Sequence, residues 1–186
     1  MADRQGGLAA LTFTLNLPFG NGIVVPEAGF LLNNEMDDFT ASPGSPNAFG
    51  LVQGSANAIA PGRRPLSSMA PTLVFRPDGA PWIATGSPGG SRITTAIAQV
   101  LLNCLVHGRN LATAVAAPRV HSQLWPDLLS HEEGLSPDTA RLLHEMGHAL
   151  RPSPAMGAAH SVEVRAEGGS AAAIDPRRPE GVAVAE

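Results

Sequence analysis

The chain has 186 residues, 44% of them hydrophobic and 15% charged, with 20 Gly, 17 Pro and a formal net charge of -4. That length suits a single domain over residues 1–186, and the Gly and Pro content marks turn-rich globular structure rather than disorder. A mild negative charge without a Lys or Arg run argues against nucleic acid or anionic membrane as a partner; no stretch reaches the roughly 18 apolar residues of a membrane span, and a single Cys104 excludes an internal disulfide.

In chain order, Asp3-Arg4-Gln5-Gly6-Gly7 reads as a hairpin turn, which requires a strand on each side. Leu8 to Asn16 alternates with the period of a half-buried strand and predicts Ala9, Leu11, Phe13 and Leu15 facing a core. Gly20-Asn21-Gly22 breaks the run, and Ile23-Val24-Val25 is a short extended piece. Residues 41–64 form a long irregular loop of the kind that tends to be functional, placed by expectation over a pocket. Thr72 to Phe75 and Trp82 to Thr85, joined at Pro77-Asp78-Gly79, predict a buried hairpin. A helix follows with Ser91 as its cap and Ile93, Ile97, Val100, Leu101, Cys104 and Leu105 on one face, ending at Gly108. A second helix runs from Asn110 to Ala117 before Pro118, and a third starts at Ser136-Pro137 with Gly147 as terminator. Ser161 to Arg165 alternates like a strand, and the Ala-, Gly- and Pro-rich tail after Glu167 predicts little regular structure. Helices and strands are interleaved without a repeat.

Three segments carry residue types suited to a zwitterion and an oxyanion. Gly86-Ser87-Pro88-Gly89-Gly90-Ser91 is a strand-to-helix turn, either a tight turn needing positive φ or a place where free N–H groups and a helix dipole meet an anion. Ser67 and Ser68 are either solvated loop hydroxyls or partners for a carboxylate. Glu35, Asp37 and Asp38 with Asn33 and Asn34 form either a solvated turn or a grip for an ammonium group. His144-Glu145-Met146-Gly147-His148 fits the HExxH pattern of zinc peptidases, but that chemistry needs both histidines on one continuous helix, whereas Gly147 sits where the helix should stop.

Taken together and in order, four segments resemble the γ-glutamyltransferase (glutathione hydrolase) family: Thr12-Phe13-Thr14-Leu15-Asn16, Gly29 through Phe39, Arg64-Pro65-Leu66-Ser67-Ser68-Met69-Ala70-Pro71-Thr72, and Thr85-Gly86-Ser87-Pro88-Gly89-Gly90-Ser91-Arg92. The likeness continues through Ala117-Pro118-Arg119-Val120-His121 and Asp175-Pro176-Arg177. The resemblance implies an α+β fold, the αββα sandwich of the N-terminal nucleophile hydrolases, present as the half that belongs to the small C-terminal subunit. It implies γ-glutamyl transfer or hydrolysis of glutathione and other γ-glutamyl compounds through a glutamyl-enzyme intermediate, without a cofactor or metal. Carried over, Asn16, Glu35 and Asp38 hold the substrate α-amine, Ser67 and Ser68 its α-carboxylate, and the N–H groups of Gly89 and Gly90 the oxyanion, while Thr14 orients the nucleophilic threonine. In the family that threonine opens a strand leading into the turn matched by Asp3 to Gly6, where this sequence starts. The expectation is therefore a chain that supplies the pocket and oxyanion hole without the catalytic Thr, inactive by itself and requiring a large subunit. Family members are commonly exported, so the resemblance implies a periplasmic or extracellular setting on which these residues are silent. A zinc peptidase using His144, Glu145 and His148, and a non-catalytic glutamate-binding module, are the alternatives.

Overall fold

The computed structural model describes residues 1–184 and divides them into two compact units, one made of residues 13–68 and the other of residues 1–12 with 69 onward.

The larger unit is mixed α and β. A four-stranded antiparallel sheet is ordered β3 (Thr72–Phe75), β4 (Pro81–Gly86), β8 (His160–Val164), β9 (Ser170–Ala173). Helices α1 (Ile93–Leu105) and α2 (Leu111–Ala116) pack on it through Ile83, Val100, Leu111, Ala114, Val115, Ala159 and Ala173. Burying such side chains contributes about 25 cal/mol per Å² of apolar surface. The β3–β4 hairpin has the expected turn, with Arg76 N and Gly79 N donating across it, but only β4 is buried; Leu73 and Phe75 of β3 face outward along an edge strand.

Helix ends follow local chemistry. Asn110 caps α2 by accepting from Thr113 N, and Pro137 opens α3 (Pro137–Glu145). After α3, Gly147 N donates to His144 O and His148 N to Leu143 O, the paired closure that places a left-handed residue, here Gly147 at φ 94°, just beyond the helix. At α1 the expectation is corrected: Ser91 is not the cap. A 3-10 turn over Gly90–Arg92 precedes the helix, and the Ser91 hydroxyl turns away to Gln123 Oε1 at 2.9 Å.

Three further strands, β5 (Val120–His121), β6 (Leu129–His131) and β7 (Leu150–Pro152), form a small sheet that sequence pattern missed. Two- and three-residue strands are too short to show a period, and β6 and β7 pair in parallel across α3. The tail also departs from expectation. Ser170–Ala173, poor in β-formers, is a strand because β8 offers it a full ladder from Ser161 to Val164.

Asp3 closes its predicted turn, accepting from Gln5 N and Gly7 N, with Met1 and Ala9 paired beyond it. The segment after the turn is extended but forms no ladder among the described residues beyond the bridge of Ala2 with Leu8. Its alternation is real, with the faces reversed. Leu8, Ala10, Thr12 and Thr14 are the more covered set, whereas Leu11 and Phe13 are 78% and 86% exposed.

The smaller unit holds the hairpin of β1 (Val24–Val25) and β2 (Phe30–Leu31), a 3-10 turn over Glu35–Asp38, and the long loop, whose one helical piece is the 3-10 turn Ser55–Asn57. Phe39 and Thr40 are its buried residues.

Candidate active-site residues

In the smaller unit, Asn16 is brought to the acid turn by backbone geometry. It sits at φ 73°, its N–H donates to Thr14 Oγ1 at 2.8 Å, and its Nδ2 donates to Asn34 O at 3.1 Å. Asn34 returns the contact by accepting from Leu17 N, and Asn33 Oδ1 accepts from Glu35 N, so both amides ahead of the acids work as local braces. Asp37 is turned to the loop, where it accepts from Ala48 N, leaving Glu35 and Asp38 as the pair.

That pair is electrostatically unsettled. Burial raises the Glu35 carboxyl above its ordinary range, and its hydrogen bond and charge repulsion with Asp38 raise it further. Asp38 is raised as well, by burial first, with the bond to Glu35 opposing and the charge of Asp37 adding. Glu35 Oε1 is buried with no hydrogen-bond partner in the structure. Two crowded carboxyls, one with an orphan oxygen, are an arrangement that a nearby cation would relieve. Ser67 is exposed and Ser68 half-buried, on the segment that closes this unit.

In the larger unit, the turn from β4 into α1 carries Gly89 and Gly90. Gly89 has φ 141°, and the first helical bond, Arg92 N to Gly89 O at 3.2 Å, lies beyond the N–H groups of both glycines. The turn is held from behind. Ser87, 2% exposed, donates to Pro88 O and accepts from Ala158 N at 2.9 Å. A Cβ on Gly157, at φ 73°, would lie 2.6 Å from Ser87 Oγ and 3.1 Å from Pro88 O, so only glycine fits there without moving the turn. On the other flank Gln123 Oε1 accepts from Ser91 Oγ and meets His121 Nε2 at 3.1 Å, and His121 Nδ1 meets Thr95 Oγ1 at 2.9 Å.

The loop carrying Gly157 is fixed by three buried charges and the half-buried Arg177. Arg119 binds Asp175 at 2.6 Å and Met156 O at 2.8 Å; Asp175 also accepts from Ala159 N; and Glu132 accepts from Met156 N and Arg119 N. Arg177 bonds both Glu132 and Asp175. The segments 117–121 and 175–177, singled out by resemblance without a role, are the two strands of this knot. The roles of Gln123, Gly157 and Glu132 had no sequence signal, since each acts through a contact distant along the chain.

The HExxH reading is not supported by the geometry. Helix α3 ends at Glu145, His148 lies past the glycine, and His144 and His148 are both exposed. Among the described residues no three His, Cys, Asp or Glu side chains converge on a metal position.

Comparison with known proteins places these residues in a family. A family model described as Gamma-glutamyltranspeptidase matches residues 1–185. The glutathione hydrolase proenzyme of Escherichia coli strain K12 is 51% identical over 177 residues, covering 95% of this chain and 30% of that protein. That of Pseudomonas sp. strain A14 is 45% identical over 194 residues, covering 99% of this chain and 34% of that protein. The chain thus spans 30% and 34% of the length of these two curated relatives. Among solved structures, gamma-glutamyltranspeptidase from Pseudomonas nitroreducens complexed with L-DON matches at a TM-score of 0.91 and 45% identity, covering 99% of this chain and 96% of that chain. An acivicin-inhibited gamma-glutamyltranspeptidase matches at 0.91 and 43%, covering 96% and 97%. The transpeptidase CapD of Bacillus anthracis, 24% identical with a TM-score of 0.74, shares the fold. The chain belongs to the gamma-glutamyltranspeptidase family.

Proposed function

We propose that this chain is the substrate-binding part of an enzyme that transfers or hydrolyses the γ-glutamyl group of glutathione and related γ-glutamyl compounds. The observation that carries the reading is the Glu35–Asp38 pair, crowded, partly dry and offering an orphan oxygen where an ammonium group would be held. In this reading Asn16 joins the pair on the substrate α-amine, Ser67 and Ser68 hydrogen-bond the α-carboxylate, and the N–H groups of Gly89 and Gly90 stabilise the oxyanion.

The reaction needs a hydroxyl that attacks the γ-carbonyl, a base for its proton, and donors for the developing oxyanion. The C–N bond to the leaving amine then breaks as that nitrogen takes the proton, and water or an amine releases the glutamyl ester. Thr12 and Thr14 have their own nitrogens locked in amide bonds, so neither combines hydroxyl and free amine. We assign Thr14 to orienting a nucleophilic threonine outside these 186 residues, and binding without turnover to residues 1–186 taken alone. The large subunit is the partner this implies, and the exposed Leu11 and Phe13 are apolar surface for it to cover. A half-share of an αββα sandwich is supported by the one-sided packing of α1 and α2 on the β3–β4–β8–β9 sheet. A periplasmic or extracellular setting is part of this reading and rests on the family resemblance alone.

Chromophore release from a γ-glutamyl anilide tests the assignment. Residues 1–186 co-assembled with a large subunit carrying the nucleophile strand should turn over, and the isolated chain should not. Turnover by the isolated chain, or none by the assembly, would refute it.

A further inference from the structure

We propose that Asn57 is a positioning residue that sets the spacing between the ammonium grip and the carboxylate grip, and so makes the site selective for donors bearing both charges on one carbon. The proposal rests on the roles given above to Asp38, Ser67 and Ser68.

Asn57 ends the single helical piece of the 41–64 loop. Its side chain makes three hydrogen bonds and uses both donors. Nδ2 donates to Asp38 O at 2.7 Å and to Gln53 Oε1, and Oδ1 accepts from Leu66 N at 2.9 Å. Asp38 is the last residue of the acid turn, and Leu66 immediately precedes Ser67 and Ser68. One amide group therefore ties the backbone of the first grip to the backbone of the second. The frame around it is also bonded: Thr40 N donates to Asn57 O at 2.9 Å, Thr40 Oγ1 to Gly54 O at 2.9 Å, and Arg63 Nη1 to Ala56 O at 3.1 Å.

An α-amino acid head group presents its ammonium and carboxylate at a separation fixed by one tetrahedral carbon. A site engages both at full strength only if its own anchors are held to the same spacing, and a misplacement of about 1 Å costs on the order of a hundredfold in such positioned contacts. Asparagine alone combines, at this length, an acceptor with two donors. Aspartate loses the donors, alanine loses everything, and glutamine carries the amide one methylene too far.

Asn57 touches neither charge, so its signature is selectivity rather than a uniform loss. The test uses the complete enzyme containing this chain and compares L-glutamate with γ-aminobutyrate, which lacks the α-carboxylate, by calorimetric titration. Asn57→Ala should weaken L-glutamate by roughly thirtyfold and γ-aminobutyrate by no more than about threefold, lowering their ratio about tenfold. Asn57→Asp, which keeps the acceptor for Leu66, should fall between. With the γ-glutamyl anilide, KM should rise with kcat within about threefold, since the oxyanion turn is untouched. Equal weakening of both ligands, or none, would overturn the proposal. If the parent enzyme binds L-glutamate yet releases no chromophore, the catalytic reading fails while the Asn57 comparison still decides this one. If the parent fails to bind L-glutamate, both fall.

Discussion

Glu132 with Asp175, and Glu35 with Asp38, are pairs of the same side chains that the fold treats in opposite ways. Burial pushes Glu132 upward, but the Arg177 hydrogen bond and the N–H groups of Met156 and Arg119 outweigh it and hold the carboxylate below its ordinary range. Asp175 is likewise pushed up by burial and brought down further by Arg177 N–H and Arg119. In the acid turn burial has no opponent of that kind, and Glu35 and Asp38 both end above their ordinary range. A buried carboxylate surrounded by fixed donors is lowered, and one surrounded by other carboxylates is raised; burial alone does not distinguish them.

Removing one charge of the knot should have the largest effect on the fold. Arg119→Met leaves Asp175 buried with fewer donors, and unfolding free energy should drop by about 3–5 kcal/mol in a urea titration. The same kind of change in the acid turn should act on ligand rather than on fold. Asp38→Asn should leave unfolding free energy equal or slightly raised, within about 0.5 kcal/mol, while weakening L-glutamate about a hundredfold by calorimetry. A smaller effect sharpens the role of the knot as the anchor of the glycine turn. Gly157→Ala puts a methyl against Ser87 and Pro88 and should cost about 1–3 kcal/mol, with kcat in the complete enzyme falling more than KM rises.

The pH dependence separates the two pairs by sign. Glu132 and Asp175, lowered in the fold, add stability that is complete above about pH 4 and is lost as acid titrates them below it. Glu35 and Asp38, raised in the fold, favour the folded free state below about pH 4 and withdraw that contribution as pH climbs through their raised values. Thermal melts between pH 2 and about 4 should therefore follow the knot. Affinity for an ammonium ligand should follow the acid turn and increase with pH.

Except at the start of α1, where Ser91 is not the cap, helix ends were legible because their causes are local: Asn110 reaches Thr113, Pro137 pre-sets φ, and Gly147 closes α3. The β3–β4 hairpin was legible for the same reason. Strands β5 to β7 and β9 were not, because two- and three-residue strands show no period and Ser170–Ala173 is poor in β-formers. Leu8 to Asn16 shows the limit of alternation, which reveals two faces without saying which is covered; Leu11 and Phe13 turned out to be the open side. In the site, acids, paired serines and paired glycines stood out by residue type. Asn57 is one amide in a loop full of small polar residues, and nothing but its three bonds separates it from its neighbours.

Holding a substrate ammonium group between Glu35 and Asp38, whose carboxyls are both raised, should exchange protons for the cation. Titrating L-glutamate into the complete enzyme at about pH 5, just above the ordinary carboxyl range, in two buffers of different ionisation enthalpy, measures that exchange directly. Binding heats that differ between the buffers in the sense of proton release, with the difference abolished in Asp38→Asn, are the predicted result. Identical heats in both buffers, or an undiminished difference in the variant, would contradict it.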